Sequence, residues 1–177
     1  MNLSGTYKIR PAGRHLITIG EDLIQDKCAA ILELVKNSYD ADSPDVKICF
    51  HVNESRDRLT IVVEDHGHGM TFEDVTDKWM VPSTDDKVKR RKSPSGRIMQ
   101  GRKGIGRYAA NILGNNLLLD SVDQNSNKTT LFIEWQQFTD AKYLDEVEVL
   151  IDSKKTSDAS GTKLTIESSV EDIEEWN

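Results

Sequence analysis

The stretch Glu33-Leu34-Val35-Lys36-Asn37-Ser38-Tyr39-Asp40-Ala41 constrains this chain more than any other. Ile24, Cys28, Ile31, Leu32 and Val35 recur at helical spacing, so one amphipathic helix is predicted from about Glu21 to Tyr39. Glu33, Asn37 and Asp40 follow i, i+4, i+7 and share a face, roughly opposite the apolar stripe. A solvated polar face accounts for such a set by itself. The pattern downstream decides whether it means more.

Before the helix, Tyr7, Ile9, Leu16, Ile17 and Ile19 read as short strands around Pro11-Ala12-Gly13. After it, Val46, Ile48, Phe50 and Val52 alternate with Lys47, Cys49, His51 and Asn53, the signature of a strand with one wet face. A turn over residues 53–57 leads to Leu59–Val63, an apolar run interrupted by Thr60, and the two strands form a predicted hairpin with the second one interior. Thr71, with acids behind it, caps a short helix ending near Trp79 and Pro82. Residues 83–101 carry little apolar content, and a polar loop this long in a compact domain is usually functional or disordered. A helix is expected over Ile105–Leu113, ended by Gly114. Four strands should follow: Leu117–Val122, Thr129–Trp135, Val147–Ile151 and Lys163–Ile166. Helices early and strands late imply an α+β fold, a two-layer sandwich with helices on one face of a mixed, mostly antiparallel sheet. Strict β-α alternation is absent, and so is the Gly-x-x-x-x-Gly-Lys-Ser/Thr loop.

Composition narrows the class. The 177 residues suit one domain with a sizeable core, and 37% hydrophobic with 30% charged residues fits a globular chain. No apolar run approaches the roughly 20 residues of a membrane span, no signal peptide is visible, and no membrane partner is expected. Cys28 and Cys49 match no metal spacing, and buried free thiols in a reducing cytoplasm are expected. A net charge of −7 argues against strong nucleic-acid binding by this domain alone, leaving it open for a longer protein. The charge is uneven: residues 87–92 form a basic block, either a solvated loop or a face turned towards phosphate, and Glu167–Glu175 is acidic.

Four segments can carry chemistry. Glu33 and Asn37, one helical turn apart, can present a carboxylate and an amide oxygen side by side, the hard donors that suit a magnesium ion and a water-activating base. Asp65-His66-Gly67-His68-Gly69-Met70 follows a strand: a fixed Asp can accept from an exocyclic amine, glycines let backbone approach a flat base, and Met70 offers a soft apolar contact. The same residues make an ordinary turn equally well. His66 and His68 lack further ligands at metal spacing. Gly101-Arg102-Lys103-Gly104-Ile105-Gly106-Arg107 joins the polar loop to a helix, so backbone amides can face phosphate at the helix start, with Lys103 and Arg107 nearby. Gly161-Thr162 opens the last strand with a hydroxyl.

In this order and spacing the four segments, from Glu21 to Ile166, resemble the ATP-binding domain of the GHKL superfamily: gyrase B subunits, ninety-kilodalton heat-shock chaperones, histidine kinases and MutL. The wording of the first and third segments is similar to MORC-like and stand-alone bacterial ATPases. The resemblance implies ATP or ADP with Mg²⁺ as cofactors and Asn37 as the metal-holding residue. It implies that Glu33 activates water, a residue histidine kinases typically lack, which favours an ATPase over a kinase. Asp65 would bind adenine, with Thr162 beside it. Asp40, Ala41, Gly67, Gly69, Met70, Gly101, Gly104, Ile105 and Gly106 would line the nucleotide, with Lys103 and Arg107. Residues 82–103 would be the ATP lid, residues 1–20 a segment for ATP-dependent homodimerisation, and residues 168–177 the start of a linker to a downstream domain. A histidine-kinase catalytic domain and a non-hydrolysing nucleotide-gated module remain the alternatives.

Overall fold

The computed structural model describes residues 6, 8–81, 91–101, 106–169 and 176, without the side chains of Gly106 and Arg107. Two helices lead, α1 (His15–Leu23) and α2 (Lys27–Asp40), followed by strands β1 (Val46–Val52) and β2 (Arg58–Asp65) and a π-helical turn, Asp74–Trp79. Then come α3 (Gly106–Leu113), β3 (Asn116–Val122), β4 (Asn127–Glu134), α4 (Gln136–Asp140), a 3-10 turn (Leu144–Glu146), β5 (Ile151–Lys155) and β6 (Gly161–Ser169).

The six strands form one sheet in the order β1-β2-β6-β3-β4-β5, and every described pair is antiparallel, so the parallel component expected of a mixed sheet is not among them. Each strand expected from Val46 onward has a counterpart, but β5 is displaced. The alternating Val147, Val149 and Ile151 read as a strand; pairing with β4 begins only at Ile151. Val147 and Val149 instead line an apolar cavity of about 270 Å³ with Leu144, Trp135 and Phe138. The alternation there reflects burial against the cavity and not strand pairing, which periodicity alone does not distinguish.

Strand parity puts Leu59, Ile61 and Val63 of β2, Ile166 of β6, Leu117 and Leu119 of β3, and Leu131 and Ile133 of β4 on one buried face. Against them lie Leu16, Ala30, Leu34, Tyr108, Ala109, Ala110 and Leu113 of the three longer helices. Ala109 and Ala110, fully buried, keep α3 thin where α2 crosses it.

Three expectations near the N-terminus need correction. Leu16, Ile17 and Ile19 are helical, not strand. The β-branched Ile17 and Ile19 favour strand locally, yet Leu16 and Gly20, one turn apart, are the pair the core buries. The single helix from Glu21 is in fact two. Ile24 and Asp26 are extended, and Asp26 restarts the helix by accepting from the Ala29 N–H at 2.7 Å. The apolar stripe of α2 is also rotated. Ala30, Leu34 and Ser38 face the core, whereas Cys28 is exposed and Leu32 is 53% exposed. At about 100° per residue, Glu33 and Asn37 therefore flank the buried stripe rather than oppose it.

Leu34 sits at the centre of that stripe, 3% exposed. Leu34→Ala should cost about 2–5 kcal/mol, read as a lower urea midpoint at unchanged m-value. A loss below half a kilocalorie would mean that α2 does not pack as described.

Candidate functional site

On the buried face of the sheet, apolar rows give way at one end to a polar one. Asp65 pairs with Thr162, Thr162's strand neighbour is Ser121, and Ser121 pairs with Thr129. Asp65 is 8% exposed and Ser121 and Thr129 are fully buried. A charge so placed must be satisfied by donors. Asp65 Oδ1 accepts from Gly67 N–H at 3.0 Å and Thr162 N–H at 3.2 Å, and Oδ2 accepts from the Ser38 hydroxyl at 2.9 Å. One acceptor direction on Oδ2 is then left for an incoming donor.

The loop after Asp65 lies tightly on its neighbours. His68 N–H donates to the Ala41 carbonyl at 3.0 Å. A Cβ on Gly67 would stand 2.5 Å from that same oxygen, and Gly69 has φ +65° with its α-carbon against the Val122 carbonyl. Side chains are excluded at both positions, so the loop can lie this close to Ala41 and Val122 only with glycine there. Met70 N–H donates to Ser121 Oγ at 2.8 Å. The two histidines point to separate partners: His66 Nδ1 lies 2.9 Å from Asp45, which raises its pKa above the ordinary value, and His68 Nδ1 lies 2.8 Å from the Gly69 carbonyl.

Beside this cradle, α2 presents Glu33 and Asn37, both half-buried. Glu33 Oε1 accepts from Lys36 Nζ at 2.7 Å. A carboxylate and an amide oxygen on adjacent turns fit the hard, mostly hydrated coordination of magnesium. Asp40 and Ala41 contribute differently from a simple lining. Asp40, 4% exposed, accepts from Gln100 N–H at 2.7 Å and Gly101 N–H at 2.9 Å, so it anchors the glycine loop where that loop begins. Ala41 supplies the carbonyl that holds the Gly67–Gly69 loop. Lys103, Gly104 and Ile105, the side chain of Arg107 and residues 82–90 and 102 lie outside the described residues, and with them residues 87–90 of the basic block.

Three residues of the site went unread in the sequence. Ser38 and Ser121 occupy core-facing positions, one turn after Leu34 and two residues after Leu119; a lone small hydroxyl on an apolar face was the available signal. Asp42 has φ +61° and its carboxylate accepts from Ser93 Oγ, Ser95 N–H and Ser95 Oγ, with Arg97 Nε at 3.8 Å. Arg97 Nη1 in turn donates to the Ser43 carbonyl at 2.8 Å and the Tyr39 carbonyl at 3.3 Å, a cation placed at the negative end of α2. Residues 91–101 are thereby docked on the helix that carries Glu33 and Asn37.

Residues 27–162 match the family described as histidine kinase-, DNA gyrase B- and HSP90-like ATPase, and with most of the chain inside that match, this protein belongs to the family. It is an ATP-binding domain of the ATPase type. Among curated proteins it is similar to "Putative type II restriction enzyme HgiDII" of Herpetosiphon aurantiacus, 34% identical over 88 residues. The matched stretch is 50% of this chain and 13% of that protein, so the chain corresponds to a small part of the relative's length. Among the described residues no helix is long and apolar enough to cross a membrane.

Partial burial pushes the Asp42 carboxyl up, but hydrogen bonds from Ser93 and Ser95 and the charge of Arg97 outweigh it and hold the group at about 2. Its ordinary value is 3.8, so the stabilisation it provides is complete above that pH and is lost as pH falls through 2. Asp42→Asn should be less stable than the parent at about pH 6, with the gap closing between about pH 4 and 2 in urea titrations. A gap independent of pH would show that the Asp42 charge is not what holds residues 91–101.

Proposed function

We propose that the chain binds ATP with magnesium and hydrolyses it slowly to ADP and phosphate, as the nucleotide-operated part of a larger protein. The observation that carries this is the buried Asp65 carboxylate, held by Ser38, Gly67 and Thr162 with one acceptor direction left. That direction takes the exocyclic amine of adenine, while the carbonyl oxygen of guanine would meet a carboxylate. Gly67 and Gly69 let the loop that follows the carboxylate pack against Ala41 and Val122, which fixes where the base would be met.

Asn37, with its amide oxygen, is the residue to hold magnesium, which when bound neutralises charge on the phosphates. Glu33 stands one turn away and takes the proton of the attacking water. Lys36 holds one of its carboxylate oxygens and so fixes where the other is presented. Asp40 and Asp42 keep the start of the glycine loop against the same helix, so base-reading and phosphate-facing parts of the site share one support. Binding and hydrolysis would switch the conformation or dimerisation of the full-length protein, with residues 1–20 the candidate dimer segment. The likeness to a protein named as a restriction enzyme supports a role within a DNA-restriction system, the DNA being handled by other parts of such a protein.

The test is ATP binding and phosphate release, with Mg²⁺, for the parent, Glu33→Gln and Asp65→Asn. Glu33→Gln should bind ATP within about threefold of the parent and lose roughly 10²–10⁴-fold in turnover, the range a positioned base supplies. Asp65→Asn puts a donor where three donors converge and should weaken ATP binding by about tenfold or more. Turnover undiminished in Glu33→Gln removes that residue from its role. ATP bound with no turnover in the parent leaves a non-hydrolysing switch.

A further inference from the structure

Ser121 is fully buried, takes no part in the family pattern, and yet touches the site at three points. Its Oγ accepts from Met70 N–H at 2.8 Å, stands 2.9 Å from Thr162 Oγ1, and lies 3.4 Å from the Gly161 carbonyl. A hydroxyl has one proton to give. If Ser121 gives it to Gly161, Thr162 must donate to Ser121 and shows only lone pairs to the site. If Ser121 gives it to Thr162, the Thr162 proton is released to point into the site. The contact with Thr162 is the shorter by half an ångström, and the Met70 amide already occupies an acceptor position on Ser121.

We infer that Ser121 is a positioning residue that sets the polarity of the Thr162 hydroxyl and through it the choice of base, a reading that rests on the adenine site proposed above. With Ser121 donating, Asp65 and Thr162 form an adjacent acceptor and donor. The Watson–Crick edge of adenine offers the complement, an amine donor at N6 and an acceptor at N1. Hypoxanthine and guanine offer the reverse, an oxygen at position 6 and an N1–H. The carboxylate alone distinguishes position 6; the serine extends the discrimination to N1, where a buried mispaired group is costly.

The experiment is a comparison of ATP and inosine 5′-triphosphate binding, with Mg²⁺, by the parent, Ser121→Ala, Thr162→Val and the double variant. The parent should prefer ATP. Ser121→Ala should reduce that preference by about tenfold, the worth of one hydrogen bond in such a site. Thr162→Val should do the same, and the double variant should lose no more than either single one, since both act on one hydroxyl. Loss of the Met70 partner weakens both nucleotides alike and leaves the ratio untouched, so a structural role is separable. If Ser121→Ala does not fold, Ser121→Cys, with a weak S–H donor, should give a partial loss of preference. An unchanged preference in the serine variant, or additive losses, overturns the inference while leaving the adenine site standing. A parent that binds neither nucleotide overturns the adenine site and this inference with it.

Discussion

The carboxylate of Asp65 is where the helical layer and the sheet are joined by something other than apolar contact. Its donors come from α2 through Ser38, from the following loop through Gly67 and from β6 through Thr162. An ionised group at this depth is tolerable only with such a set, because a charge without donors would cost several kcal/mol, on the order of the whole stability of a small domain. The same set leaves the group with a single direction in which to act. The donors that satisfy the buried charge also decide which direction it leaves open.

The C-terminal end of α2 is the second organising feature. Within three consecutive residues, Asp40 holds the start of the glycine loop, Ala41 holds the loop after Asp65, and Asp42 holds residues 91–101. Arg97 closes the arrangement from the other side by reaching back to helix-end carbonyls. Loops are the movable parts of most binding sites. Here two of them are tied to the one helix that also bears Glu33 and Asn37, so the placement of these side chains relative to both loops is set by a rigid element.

Much of this was legible in the residues. The α+β class, the β1–β2 hairpin and three of the four later strands followed from periodicity and turn chemistry, whereas β5 lies over Ile151–Lys155 and not Val147–Ile151. What failed failed for identifiable reasons. Ile17 and Ile19 carried a local strand preference that packing of Leu16 and Gly20 overrode. Asp26 was a cap hidden inside an apparently continuous helix. The face of α2 was misjudged because Leu32 and Cys28 are apolar yet exposed, while the core takes the small Ala30 and Ser38. The site lost Ser38, Ser121 and Asp42 for a common cause: each acts on a segment distant in sequence, 27, 40 and 41, or 51 and 53 residues away, and no local pattern encodes such a partner.

The position of β6 has a consequence for how the molecule is made. It follows every other described strand in the chain, yet it lies between β2 and β3, in the middle of the sheet. During synthesis the β1–β2 hairpin and the β3–β5 meander emerge first, each with an inner edge that has nothing to pair with. Only when residues 161–169 leave the ribosome can the two halves be zipped together, by contacts about a hundred residues apart, as in Asp65 to Thr162, 97 residues. The Asp65 carboxylate of the nascent chain therefore lacks its Thr162 donor until β6 has been translated, and the two waiting edges are the places where a chaperone, or a misfolding neighbour, would find it.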